Sequence, residues 1–384
     1  MGRWGSGGRV AGVVALVLGV LAGVVVVGQA GRSGPSASAG AGPGEVVAGF
    51  LGALARNDLG AAWSVVAPAE AAVVVDHGRA LVAEGSRAGL VGAVPSVRGA
   101  DVVVGGTRRI TERLAVTGVV GGWLTASSTA GDVVTGRLAS ALGAAPSPGG
   151  QDWTVDFGAR GAGAVEIATV EVGGRWYASV LHTAVHALLK GNGLDWPRRG
   201  IAPSAGSSPG AAVRRFTGAL LAGDLAAVIA LLPPDEMAAV QAAGPALVDL
   251  AGPVPGVVGV RDVEVDVTET AEGARAVVRA LTLTTGGVSG RFSREGACYV
   301  PDTGARPLCA NDLAALLTPP HAPPETPDVL ARLFDRLLTE GVPLVTTRSS
   351  AGWHVSPART LAQALLTAAP ALTPADVGVL LAAF

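Results

Sequence analysis

The sequence predicts an α+β fold built twice behind a single membrane-spanning helix. Three observations carry this. Residues 46–82 and 212–248 align without a gap at a constant offset of 166, and both place apolar residues at helical spacing. Strand-like runs follow the helical ones in each half. The clearest is 262–267, DVEVDV, an apolar–acidic alternation of the kind a half-buried antiparallel strand requires. An uncharged run at 10–31 precedes both halves. The 384 residues are enough for two domains plus connecting segments.

Residues 1–9 are a short segment carrying Arg3 and Arg9, expected to be cytoplasmic. The 10–31 run contains VVALVLGVLAGVVVV and shows no amphipathic period. A spanning helix needs about 20 predominantly apolar residues, so the length fits. Two arginines before the run and Arg32 alone after it place the amino terminus inside. The expectation is a single-pass protein of the cell membrane with the bulk of its chain extracytoplasmic. A cleaved signal peptide ending at Gly28-Gln29-Ala30 is the rival reading. The apolar run exceeds the usual signal-peptide core of about 7–15 residues, which favours the uncleaved anchor. No cysteine follows the run, so a lipoprotein anchor is excluded. Residues 32–44 are rich in Gly, Ser and Pro and are expected to be a flexible tether.

Domain 1 is expected at 45–190 and domain 2 at 211–384, with 191–210 as linker. The gap-free match pairs Phe50 with Phe216, Asp58 with Asp224, Pro68 with Pro234 and Glu70 with Glu236. It resumes at Val94-Pro95 with Val254-Pro255, at Asp132-Val133 with Asp328-Val329, and at Trp176 with Trp353. A helix is expected over 45–56. Asn57-Asp58 and Gly223-Asp224 then end one helix, and the aspartate caps the next. Pro68 and Pro234 are expected at the start of a third helix, where a missing amide costs nothing. Glu70 and Glu236 follow, placed to meet the positive end of that helix. Strands are expected at 100–105, 112–120, 152–158, 165–172 and 175–181. Short helices at 131–142 and 328–339 interrupt them, and a helix from near Leu181 or Ala358 closes each half.

Helices first and a curved antiparallel sheet after them resemble the cystatin-like α+β cone of the NTF2-like superfamily. The opening pattern of Phe, Ala-Leu, Asp, Pro and Glu, present in both halves, is similar to the start of many such domains. Tandem domains of this kind behind one anchor resemble the extracytoplasmic subunits of conjugation and type IV secretion machines, the TcpC-like transfer proteins in particular. Membrane-anchored proteins associated with lipid-import systems share the organisation. The resemblance implies a scaffold or adaptor of a secretion or transfer complex. The alternative is an extracytoplasmic binding protein holding an apolar small molecule or lipid in its cone.

Reactive side chains are scarce: five His, two Cys, two Tyr and one lysine, Lys190. With 28 Lys and Arg against 30 Asp and Glu, the formal net charge is -2, so no basic face for nucleic acid is expected. Asp58 and Asp224 are explained as caps, and Tyr177 and His354 occupy one repeated position without sharing a functional group. His182 and His186 stand four apart on one helix face, but HTAVH lacks the glutamate of the zinc-protease pattern. They read as two polar residues on a helix face, and His77 as a solvated one. No phosphate loop, nucleophile elbow or Cys/His pair is present. The expectation is therefore no enzyme, no cofactor and no metal, with protein partners or self-association. Cys298 and Cys309, an even count in an exported chain, are expected to form a disulfide closing a hairpin-like loop.

Overall fold

The structure is a computed structural model and describes residues 41–89, 96–127, 145–146, 152–158, 165–253, 259–285 and 287–383. The expected span at 10–31 lies outside the described residues. Among the described residues no helix is long and apolar enough to cross a membrane. The chain divides into two compact units, Met1–Trp196 and Pro197–Phe384. The division falls inside the expected 191–210 linker, and the residues on either side of it pack onto their own unit.

Unit 1 opens with α1 (Pro43–Ala55), α2 (Leu59–Ser64) and α3 (Pro68–Arg87). Pro43 occupies the first turn of α1, and Glu45 accepts from the Gly42 amide at 3.0 Å. The helix thus starts two residues inside the expected tether, because proline at that position loses no hydrogen bond. The sheet comprises β1 (Ser96–Thr111), β2 (Leu114–Ser127), β3 (Ala145–Pro146), β4 (Asp152–Asp156), β5 (Val165–Val172) and β6 (Arg175–Ala178), and α4 (Val180–Gly191) closes the unit. Glu112 and Arg113 form the two-residue turn between β1 and β2, so the strand expected at 112 begins at Leu114.

All strand pairs are antiparallel, and β2 is the axis of the sheet. On one side it pairs with β1. On the other it pairs with β5 through Leu114–Val119 and with β4 through Trp123–Ser127. Strand β6 extends β5, and β3 extends β4. Helix α1 packs against the sheet through Val47 and Leu51, which meet Val119 and Phe157, with Phe50 and Leu54 at the margin.

Unit 2 contains α5 (Pro209–Leu221), α6 (Leu225–Ala230) and α7 (Ala238–Ala251), then β7 (Gly259–Thr270), β8 (Gly273–Thr285), β9 (Val288–Glu295), β10 (Cys298–Pro301) and β11 (Leu308–Cys309). Helices α8 (Ala310–Leu317) and α9 (Thr326–Glu340) lead into β12 (Pro343–Ser349) and β13 (Gly352–Val355). Helices α10 (Pro357–Ala368) and α11 (Pro374–Ala383) end the unit. Strand β8 repeats the role of β2: β7 lies on one side, with β12 and β9 sharing the other. The register repeats as well. Thr169 faces Ala178 in unit 1, and Thr346 faces Val355 in unit 2. Both threonines are fully buried and donate to a carbonyl of the axial strand, Ala115 and Ala274 respectively.

A bulge bends the long edge strand at the same place in each unit. Asp101 and Asp262 have φ of +54° and +48°, and the pairing skips at Ala100/Val103 and at Arg261/Glu264. Aspartate is among the few residues that visit this conformation, and a bulge adds twist and curvature to its strand. Opposite the first bulge, Gly122 has φ +85°, and a Cβ there would lie 2.3 Å from the Asp101 carbonyl oxygen. The second bulge breaks the expected alternation of 262–267. Val263 is buried, whereas Val267 is 43% exposed.

Two further expectations are corrected. Pro234 does not start the third helix of unit 2. Pro233 to Glu236 form a turn closed by the Met237 amide on the Pro233 carbonyl, and α7 begins at Ala238. Proline's fixed φ suits the turn before a helix as well as its first position, and here Pro234 lies in the turn. The pairing of Asp132-Val133 with Asp328-Val329 also fails. Residues 131–142 lie outside the described residues but fall between β2 and β4, whereas α9 falls between β11 and β12. The two places are not equivalent in strand order.

Candidate functional site

The repeated positions converge on one region in each unit, the junction where the last strand turns into the closing helix. In unit 1 Ser179 follows β6 and caps α4, its hydroxyl accepting from the His182 amide at 3.0 Å. Glu70, in the first turn of α3, does not serve its own helix. Its carboxylate accepts from the Ser179 hydroxyl and from the amides of Val180, at 2.7 Å, and Leu181, at 3.4 Å. Thus Glu70 sits at the positive end of α4 rather than of α3, and the favourable dipole interaction ties two helices together. Burial pushes its carboxyl above the usual range, opposed by the hydroxyl and the two amides.

The proton count fixes the rest of this cluster. With the single Ser179 proton donated to Glu70, His182 Nδ1, 2.8 Å from the hydroxyl, carries hydrogen and donates to it. Both serine lone pairs are then filled, one by the His182 amide and one by its ring. Burial pushes His182 down to about 4, and the imidazole is neutral near pH 7.

His186, one turn on, belongs to a second cluster. Its Nδ1 accepts from the Trp196 indole at 3.1 Å, which leaves Nε2–H to donate to Glu166 at 2.9 Å. Lys190 reaches the same carboxylate oxygen at 2.7 Å. Burial alone would raise Glu166, but the hydrogen bonds of Lys190 and His186 and the Lys190 charge outweigh it and hold the carboxyl below its usual range. Trp196 also stacks on His182, with ring centroids 6.0 Å apart. The two histidines lie on one helix face, as expected, and that face is buried. His186 spends both ring nitrogens on protein partners, so the pair does not present a shared metal face. His77 is half-buried rather than solvated.

Unit 2 repeats the junction with different chemistry. Ser356 follows β13, caps α10 and donates to Glu236 at 2.5 Å. Arg359 stands where unit 1 has His182. Its Nε meets Glu236 at 2.6 Å, and its Nη1 meets Glu272 at 3.2 Å. Both Glu236 and Arg359 are buried, so a salt bridge does in unit 2 what a serine–histidine pair does in unit 1. Thr183 and Thr360 complete the parallel, each accepting a β-strand amide at 2.9 Å, from Ala168 and Val345.

The remaining repeated residues are structural in placement. Asp58 and Asp224 cap α2 and α6, accepting from the amides of Ala61 and Ala227 at 3.0 and 2.9 Å. Pro68 opens α3. Phe50 and Phe216 flank the apolar clusters beneath the sheets. Trp176 and Trp353 lie in the last strands, each beneath a guanidinium, Arg109 and Arg348 respectively. His354 is fully buried against Ser349, at 2.9 Å, and burial lowers its pKa. Cys298 and Cys309 are directly opposite on β10 and β11 and are joined by a disulfide. Among the described residues no group of three or more His, Cys, Asp or Glu could hold a metal ion.

Sequence reasoning missed Glu166, Trp196 and Thr183 as partners of this junction. The signal for the last was present, since Ser179/Ser356 and Thr183/Thr360 recur at one offset of 177.

No family model and no curated protein matches the chain. Among solved structures, a chain described as an "Ntf2 like protein involved in plasmid conjugation" is similar at 11% identity. That match covers 56% of this chain and 77% of the other, with a TM-score of 0.15. At that level it adds nothing to the α+β assignment, which rests on the strand pairing above.

Proposed function

We propose that this protein is a non-enzymatic, membrane-anchored extracytoplasmic scaffold or adaptor built from two NTF2-like domains, serving a secretion or transfer complex. The observation that supports the reading is where the reactive side chains go. Glu70, Ser179, His182, His186 and Glu166 in unit 1, and Glu236, Ser356 and Arg359 in unit 2, bond to one another in joining sheet to closing helix. An acid or base catalyst has to reach a substrate proton, and these groups reach each other. The disulfide fits an oxidising compartment, as an extracytoplasmic chain requires, and the 10–31 run supplies the anchor.

The test is purification of the full-length, tagged protein from membranes after mild crosslinking. A scaffold brings down the same protein partners reproducibly, in stoichiometric amount. Recovery of the protein alone, with a bound lipid detected by mass spectrometry, would replace this reading with that of an apolar-ligand carrier. Recovery from the soluble fraction with a mature terminus at Gly31 would remove the anchor.

A further inference from the structure

We infer that one end of unit 1, carrying Arg108, Arg109, Arg113 and Arg175, is a docking surface for anionic lipid headgroups. Helix α1 runs antiparallel to β1. A Cβ on Gly44, at the start of the helix, would lie 3.1 Å from the Thr107 hydroxyl oxygen, and one on Gly99 would lie 3.3 Å from the Ala55 methyl at its end. The first described residues, 41–43, therefore lie toward the end of the sheet where β1 turns into β2. Strand β2 pairs with β5 from Leu114–Val170 onward, and β5 pairs with β6 as far as Val172–Arg175. The turns at 112–113 and 173–174 thus share that end.

All four arginines are exposed, and so is Val172 beside them, at 47%. Arg109 lies over the Trp176 ring and donates to the Glu112 carbonyl at 3.2 Å. Among the described residues none of the four has a carboxylate as ion-pair partner. Residues 107–113 and 171–175 together hold these four arginines against Glu112 and Glu171, a net charge of +2. Gly173 and Gly174 leave the second turn without side chains.

Unit 2 has the same end with the opposite sign. Strand register sets 107–113 against 266–272, and 171–175 against 348–352. There Asp266, Glu269 and Glu272 stand against Arg348 alone, a net charge of -2, and Glu272 is bonded to Arg359. Gly210, at the start of α5, lies by Val267 much as Gly44 lies by Thr107. Both units have the fold, so the fold does not require arginines at this end. The near-neutral charge of the whole chain conceals the split.

The occupant follows from charge and from where the chain goes, and it rests on the anchored reading proposed above. Eleven residues, 32–42, separate the expected span from α1, and fully extended they reach about 40 Å. A bilayer surface is then within reach of the end that carries the arginines. Unit 2, which the chain enters from unit 1 instead, lacks them. Guanidinium groups match phosphate oxygens with a fixed fork of donors, and Val172 adds an apolar contact. Each basic residue at an anionic surface strengthens attachment about fivefold.

The experiment transfers the full-length protein from detergent into vesicles of phosphatidylcholine alone, or of equimolar phosphatidylcholine and phosphatidylglycerol. Val172→Cys, labelled with a fluorophore, reports contact through quenching by lipid that carries a nitroxide on its headgroup. The native cysteines are joined to each other and do not take the label. Quenching should be severalfold stronger with phosphatidylglycerol. It should fall to the phosphatidylcholine level in about 1 M salt, where the Debye length is about 3 Å. Arg108→Gln with Arg113→Gln should abolish the difference, and Arg108→Lys with Arg113→Lys should keep most of it, which separates lost charge from lost fold. Equal quenching in the two vesicle types, or stronger quenching that ignores the glutamine pair, would overturn the inference. So would crosslinking in whole membranes that joins the arginine end to an acidic protein face in place of lipid. Flotation with phosphatidylcholine vesicles reads the anchor separately. Failure to float there, with salt-sensitive capture by phosphatidylglycerol vesicles, removes the anchor and leaves the docking; flotation without a quenching difference removes the docking alone.

Discussion

His182 makes the first unit acid-sensitive. Its folded pKa is about 4, against 6.5 for the ordinary side chain. The unfolded chain therefore binds the proton more readily across that interval, and stability falls as pH drops from 6.5 to about 4. About 2.5 units at 1.4 kcal/mol each gives a loss of about 3 kcal/mol, complete near pH 4 and absent above 6.5. Glu70 acts in the opposite sense, because its carboxyl is held above the usual range and its contribution is greatest when it is protonated. Glu166, held below its range, loses its contribution as pH falls. The His182→Asn variant isolates the histidine, since the asparagine amide can replace Nδ1–H as donor to Ser179 without titrating. Urea unfolding of the full chain at pH 7, 5.5 and 4, followed by tryptophan fluorescence, reads mainly unit 1, which holds tryptophans 63, 123, 153, 176 and 196. Wild type should lose about 3 kcal/mol more than His182→Asn between pH 6.5 and 4. Equal losses in the two proteins would refute the assignment of a buried, neutral His182.

The corresponding pair in unit 2 predicts non-additive mutants. Arg359→Met should cost about 3–5 kcal/mol by leaving Glu236 charged and buried, and adding Glu236→Gln should recover much of it; additive losses in urea melts would show that the two are not coupled. Replacing both cysteines by serine removes a covalent link across eleven positions and should lower the stability of unit 2 by about 2–3 kcal/mol, leaving exchange protection in unit 1 unchanged. Asp58→Ala and Asp224→Ala each remove one capping acceptor and should cost about 1 kcal/mol, measurable as a shift in denaturation midpoint at constant slope. Gly122→Ala forces a methyl against the Asp101 carbonyl and should destabilise unit 1 by about 2 kcal/mol or more, whereas Gly121→Ala, at a strand position without positive φ, should cost less than 1 kcal/mol; equal effects would show that the bulge does not need glycine opposite it.

Much of the fold was legible because its signals are local. The caps at Asp58 and Asp224 depend on bonds three residues away, and the strand at 165–172 was visible as a run of β-formers. The bulges at Asp101 and Asp262 were not visible as bulges, because a period-two pattern reads the same until the partner strand shows which residue is skipped. Pro234 was misplaced for a related reason: proline is compatible with both a helix start and the turn before one.

The sequence by itself determined the duplication, the order of helices before strands, the capping aspartates and the cysteine pair. Each is written in residue types at fixed spacing, and physical chemistry acts on neighbours in the chain. Only the tertiary structure decided what Glu70, Glu236, His182 and Arg359 do. Glu70 lies 109 residues from Ser179, and Glu236 lies 123 residues from Arg359, so no local pattern encodes which helix end each carboxylate meets. The identity of the residue was readable, but its partner was set by strand register, which brings the end of the last strand against the start of the third helix or the turn before it.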